Sequence, residues 1–138
     1  MGFALEVEMI RTARALDLVT TPYVFDVPSA QAMTEAGADV VVAHLGTTIS
    51  GMIGASSALT LDDAVVFVQE IREAATAINP DVYVLCHGGP IAEPEDAAYV
   101  LQRTTGVAGF FGASSMERLP AERAITEQTR KFKSLTTR

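Results

Sequence analysis

The chain has 138 residues, enough for one domain with a buried core. Its formal charge of −7 opposes non-specific nucleic-acid binding, which depends on neutralising phosphates, and no apolar run approaches the roughly 18 residues of a membrane-spanning helix. One cysteine excludes an internal disulfide, and the first residues carry neither a basic region nor a cleavage signal, so a cytoplasmic protein without a membrane partner is expected.

Residues 3–16 place Leu5, Met9, Ala13 and Leu16 at helical spacing. Residues 18–25, rich in Val, Thr and Tyr, read as a strand, and Pro22 inside it favours an edge strand or a bulge over a central position. Pro28 opens a short helix that Gly37 closes. Residues 39–44, Asp-Val-Val-Val-Ala-His, form a second strand that ends on a histidine. The loop over 45–60 holds Gly46, Gly51 and Gly54 and is longer than a usual connection, as lids and binding loops are. Thr60-Leu61-Asp62-Asp63 has the form of a capped helix start, and Asn79-Pro80 stops that helix after Ile78.

Residues 82–90, Val-Tyr-Val-Leu-Cys-His-Gly-Gly-Pro, carry the strongest signal. An apolar run without alternation suits a parallel strand covered on both faces. It too ends on histidine, and two glycines bare the backbone just beyond. Pro94, Glu95 and Asp96 then open a helix, with acids over its positive end, that runs to about residue 104. A last strand over 107–111 leads into Gly112-Ala113-Ser114-Ser115, and Pro120 opens a terminal helix. Six of the ten cations lie from Arg118 onward, a pattern that reads first as a solvated face with cations suiting the helix end.

A helix followed by four strand–helix units gives an α/β fold of parallel strands joined by right-handed crossovers. Two architectures satisfy that order. One is a small doubly wound sheet; the other is half of a TIM (β/α)8 barrel, whose full form takes about 250 residues.

Five segments resemble one family. They are Leu-Glu-Val-Glu-Met-Ile-Arg (5–11), Thr-Thr-Pro-Tyr-Val-Phe (20–25), Gly-Ala-Asp-Val-Val-Val-Ala-His (37–44), Val-Leu-Cys-His-Gly-Gly-Pro-Ile-Ala (84–92) and Gly-Ala-Ser-Ser-Met-Glu-Arg-Leu-Pro (112–120). Together they are similar to the phosphoenolpyruvate hydrolase-like proteins, which are TIM barrels. The resemblance covers essentially the whole chain. It implies that residues 1–138 form a single partial barrel domain, whose four strands correspond to strands five to eight. It also implies an enzyme, a hydrolase or lyase of a pyruvate-type substrate. Phosphonopyruvate-type relatives hold magnesium with carboxylates, and Asp26 and Glu93 are the acids at strand or loop ends here, so a Mg2+ ion is an open expectation. Asp26 serves equally well as a helix N-cap.

His44 and His87 are the two histidines of the chain, and both end a predicted strand. In a barrel those ends open onto the catalytic face, and imidazole titrates near neutrality, so both are candidate proton-transfer groups. A structural role as a core or capping residue is the alternative for each. Cys86 points to the opposite face from His87 and reads as a buried structural thiol. Gly88-Gly89 and Gly112 to Ser115 follow the third and fourth strands, where barrels bind phosphate through backbone N–H groups, or they are simple turns. Ser114 and Ser115 would add hydroxyl donors, and Arg118 is the cation placed to clamp a carboxylate or phosphate.

Both lysines, Lys131 and Lys133, fall in the last helix, which excludes a Schiff-base aldolase. There is neither a Walker loop nor a G-x-G-x-x-G turn. The expected ligand is a small phosphorylated or carboxylate substrate. The rival is a ligand-sensing or interaction module using the same pocket without turnover, and a third possibility is an inactive fragment. Four strands cannot close a barrel, so either a homo-oligomer or a partner supplying the missing half is expected.

Overall fold

The computed structural model describes residues 2–47 and 59–135. Its elements alternate as expected: α1 (Phe3–Ala15), β1 (Tyr23–Val24), α2 (Val27–Glu35), β2 (Val40–His44), α3 (Leu61–Ile78), β3 (Tyr83–His87), α4 (Pro94–Arg103), β4 (Gly109–Phe110) and α5 (Arg118–Lys133). Local chemistry sets the helix starts. Asp26 accepts the Ser29 N–H at 2.7 Å while the Ser29 hydroxyl accepts the Asp26 N–H, a reciprocal cap on α2. Thr60 and Asp63 do the same for α3. At α4 the Asp96 carboxylate accepts the N–H groups of Ala92 and Glu93.

The four strands form one parallel sheet in the order β1-β2-β3-β4. Consecutive order with right-handed crossovers puts every connecting helix on the same side. Side-chain packing agrees. Val24, Val41, Ala43, Val84 and Cys86 join one core with Met33 of α2, Val68 and Ile71 of α3 and Val100 of α4. This is the singly wound arrangement of a barrel wall; a doubly wound sheet would carry helices on both faces.

Among the described residues no helix covers the opposite face. Tyr83 is 63% exposed on it while Leu85 is half-buried and His87 buried, so the run over 82–87, expected to be covered on both faces, is open on one face at its start and covered there only toward its end. The reason is topological, because in a barrel that face turns inward toward the other strands.

Two strands are shorter than predicted. The strand expected over 18–25 shrinks to Tyr23–Val24, although Thr20 and Pro22 carbonyls still accept the Val40 and Val42 N–H groups. Pro22 has no N–H to return, so the ladder there is one-sided. The strand expected over 107–111 shrinks to Gly109–Phe110, with flanking bonds from Ala108 N–H to Val84 and from Phe111 N–H to Cys86. Both are edge strands, and the edge predicted from Pro22 is where β1 lies. Helix α5 begins at Arg118, two residues before Pro120, which therefore sits in the first turn where a missing N–H costs nothing.

Asp39 ties the start of the sheet together. Its carboxylate accepts the Thr20 N–H at 3.0 Å and the Arg14 guanidinium at 2.9 Å, joining α1 and the approach to β1 onto β2. Among the described residues no helix is long and apolar enough to cross a membrane.

Candidate active site

Register decides which side chains meet. His44 and His87 are paired across β2 and β3, so both project to the face away from the helices at one level. Their rings lie 4.7 Å apart between centroids, crossed at 74°. Cys86, one residue before His87, points the other way into the core, where burial pushes its thiol up to about 11. That thiol is inert at neutral pH.

An aromatic frame surrounds the two imidazoles. Tyr23 stacks flat on His87 and meets His44 edge-on at 4.7 Å. Phe25 lies against His44, and Phe111 meets both His87 and Tyr23 at right angles. These three rings were not among the sequence candidates. The signal for them was the period of two: Tyr23, Phe25 and Phe111 share the histidines' face because each is an odd step from a core residue, Val24 or Phe110.

Each imidazole is fixed by a backbone bond. The Gly46 N–H donates to His44 Nδ1 at 2.9 Å, and His87 Nδ1 lies 2.7 Å from the Phe111 carbonyl oxygen. Burial, reinforced by the neighbouring charge of His87 and opposed in part by the backbone of His44 itself, lowers the His44 pKa below its ordinary value. His44 also lines a cavity of about 210 Å³ with Phe25, Leu45, Leu59 and Phe67. Of the expected lid over 45–60, residues 48–58 lie outside the described residues.

The Gly88-Gly89 turn is built against the end of β2. Both glycines have positive φ, +73° and +57°. A Cβ on Gly88 would collide with the Gly46 carbonyl oxygen, and one on Gly89 would come within 2.7 Å of Leu45. The Gly89 N–H is already bonded to the Gly46 oxygen at 2.9 Å. This turn therefore holds the 45–46 segment beside the histidines, and that amide is not available to an anion.

The other candidates stand apart from the imidazoles. In the 112–115 turn the Ala113 and Ser114 carbonyls accept N–H groups of Met116, Glu117 and Leu119. Ser115 lines a separate groove of about 380 Å³ with Pro94, Ala97, Leu101, Phe110 and Met116, on the α4 side of the sheet. The half-buried Arg118 guanidinium donates to Glu122 one turn further along α5 at 2.9 Å, so its charge is balanced within the helix.

The carboxylates do not suit a magnesium ion. Asp26 is engaged as the cap of α2, where hydrogen bonds from the Ser29 side chain and backbone hold its pKa down. Glu93 is forked onto Arg123, which lowers its pKa in turn. Among the described residues no three His, Cys, Asp or Glu side chains converge as a metal-holding group.

A singly wound parallel sheet with two imidazoles in contact at its strand ends defines a barrel-type α/β protein. The chain belongs to the phosphoenolpyruvate hydrolase-like family, whose model matches residues 1–135. It is 61% identical over 135 residues to the ToMV susceptible protein tm-1(GCR26) of Solanum lycopersicum, covering 98% of this chain and 18% of that protein. The ToMV resistance protein Tm-1(GCR237) of the same plant is 59% identical over the same length. The "Putative transcriptional regulatory protein y4pA" of Sinorhizobium fredii is 33% identical over 137 residues, 22% of its length. The chain thus spans about a fifth of the curated relatives it matches.

Two solved structures share the fold. FabK (M276A) from Thermotoga maritima superposes with a TM-score of 0.50 at 23% identity, over 73% of this chain and 30% of that one. Nitroalkane oxidase from Streptomyces ansochromogenes gives 0.51 at 25%, over 80% and 31%.

Proposed function

We propose that this chain forms the ligand face of an enzyme-type barrel, strands five to eight of eight, that acts as a hydrolase or lyase on a small carboxylate or phosphorylated acid of the pyruvate type. The observation that carries this is the in-register pair His44 and His87, two imidazoles on one sheet face at the carboxyl ends of their strands. That is where barrels of this kind place their chemistry. The neutral His44 side chain and the cavity beside it offer a donor in a mostly apolar surround, in which hydrogen bonds and charges act more strongly than in water. A phosphoryl group would find its further donors among the backbone N–H groups where the chain turns at Gly112, directly after Phe111, whose ring meets His87. The inner face would be closed by a second copy or by a separate polypeptide bearing the missing strands.

A second reading comes from the relatives' names. Two are viral resistance or susceptibility proteins and one is named for transcriptional regulation, so the same pocket can serve as a sensor without turnover.

Thermal melting with phosphate, pyruvate and phosphoenolpyruvate, paired with an assay for phosphate release, tests both readings. A raised melting temperature that Gly112→Val diminishes while the protein still folds supports the anion site, since a ligand stabilises by mass action. Release of phosphate that His44→Phe and His87→Gln each cut by about 100-fold or more supports catalysis. Binding without release favours the sensor, and no shift with any of the three compounds removes the anion site.

A further inference from the structure

The two backbone bonds that hold the histidines also fix where their protons are. A carbonyl oxygen only accepts, so His87 Nδ1, 2.7 Å from the Phe111 oxygen, must carry a hydrogen. An amide N–H only donates, so His44 Nδ1, 2.9 Å from the Gly46 nitrogen, must present its lone pair. In the neutral state the two rings are therefore opposite tautomers. His87 keeps a lone pair on Nε2, and His44 keeps a hydrogen on Nε2.

The geometry points to a division of labour between them: His87 Nε2 is a base and His44 Nε2–H a neutral donor, and together they recognise an enolisable carbonyl compound, a short 2-oxo acid. This rests on the reading of the site given above and names its chemistry. A carbonyl with an adjacent C–H offers one acceptor and one removable proton, which is the complement of one donor and one base. In the step, His87 Nε2 takes the proton from the carbon next to the carbonyl. The C–H electron pair becomes the C=C bond, and the carbonyl π pair moves onto oxygen. That oxygen is held by the hydrogen bond from His44, which keeps its proton. His87 ends as an imidazolium whose Nδ1–H remains on Phe111. Return of a proton from His87 to carbon reverses the step, so no oxidant or further reactant is needed.

His44 suits the donor role because it resists a second charge. It is partly buried, and among the described residues the titratable side chains whose rings contact it are His87 and Tyr23, with Phe25 supplying the remaining ring. When His87 takes a proton, its charge next door keeps His44 neutral. Tyr23, parallel to His87 at 5.1 Å, places an aromatic face against the imidazolium that forms.

The test uses the whole chain in D2O with pyruvate as probe. Proton NMR is expected to show the methyl signal of pyruvate exchanging deuterium faster than in a protein-free blank. His87→Gln should slow that exchange by about 100-fold or more. His44→Gln, which keeps an N–H donor, should slow it less, and His44→Phe should match His87→Gln. Independently, nitrogen NMR of the imidazoles should report opposite tautomers at a pH where both are neutral. The same tautomer on both rings would overturn the inference, as would equal losses in His44→Gln and His87→Gln. Pyruvate that binds without exchanging overturns this inference and leaves the anion-binding reading standing; pyruvate that neither binds nor exchanges overturns both.

Discussion

Tyr23 and His87 lie face to face, ring centroids 5.1 Å apart and planes 5° from parallel, although they are on strands separated by β2. The contact spans the sheet above Val42, which pairs with Tyr23 in register, and it makes the first strand part of the histidine site. Loss of such an aromatic pair typically costs about 1 kcal/mol beyond the area it buries. Tyr23→Leu is expected to lower stability by about that amount in urea and to shift the His87 ring signals in proton NMR. Tyr23→Phe keeps both rings and should stay within about 0.5 kcal/mol of the parent. An unmoved His87 signal in Tyr23→Leu would mean the rings do not stack in solution.

Gly88 needs its missing side chain twice over. Its φ of +73° is in the left-handed region, and a Cβ would run into the Gly46 carbonyl oxygen. A residue with a side chain there costs about 1–2 kcal/mol from conformation alone. Gly88→Ala is therefore expected to destabilise the protein by about 2 kcal/mol or more and to disturb the Gly46 N–H bond to His44. Gly2→Ala is the control, because a Cβ there meets nothing within 4 Å. Equal urea midpoints for the two variants would show that the turn is not packed against β2.

His44 makes stability depend on pH in a window above that of the carboxylates. Its folded pKa lies below the ordinary 6.5, first because of burial and then because of the charge of His87. The unfolded chain thus binds the proton more readily than the folded one, and stability rises with pH across the interval between the two values. The contribution is complete above about 6.5 and is lost as pH falls toward the lowered value. Asp26, Asp39, Asp63 and Glu93, all lowered by their hydrogen bonds, act in the same direction but at lower pH. His44→Gln is expected to flatten the upper part of the curve and leave the acid limb in place. Melting temperatures between pH 5 and 8 check it, and identical slopes in the two proteins would remove the assignment.

Element order and the histidine positions were legible because they rest on short-range rules. Caps at Asp26 and Thr60, the stop at Asn79-Pro80 and the apolar runs ending at His44 and His87 each act within a few residues. Apolar periodicity alone left barrel wall and doubly wound sheet open, because the choice depends on which face the crossovers cover and the run Val82–Cys86 is equally apolar either way; the resemblance of the five segments to a TIM-barrel family decided for the barrel, and the structure agrees. The short edge strands escaped for a related reason, since a strand with one neighbour loses half its ladder. At the site, the glycine turn was visible but its purpose was not. Gly88 and Gly89 read the same whether they clear space for an anion or for the Leu45-Gly46 backbone, and in the structure both pack against that backbone, with the Gly89 N–H bonded to Gly46. For Arg118 the partner not foreseen was Glu122, one helical turn away, to which it donates at 2.9 Å.

The open inner face leads to the last expectation. Each of β1 and β4 pairs on one side only, and four parallel strands cannot reach the shear and diameter at which eight close on themselves. The face that bears the histidines also bears exposed Tyr83 and partly exposed Tyr23, with Leu18, Val19 and Phe25 exposed near the β1 edge. Apolar surface next to unpaired strand edges associates in water. Helix α1 adds Leu5, Met9 and Leu16 as a further exposed apolar stripe beside that edge. Expressed as these 138 residues, the protein is expected to form a homodimer or larger assembly in which the inner faces or the edges of two sheets cover one another. Sedimentation at several concentrations measures this directly. Charged substitutions on the inner face, such as Tyr83→Lys, should weaken the assembly without unfolding the helices, because Tyr83 lies outside the helix-packed core. A monomer at micromolar concentration with a single cooperative melt would show that the sheet covers its inner face by itself.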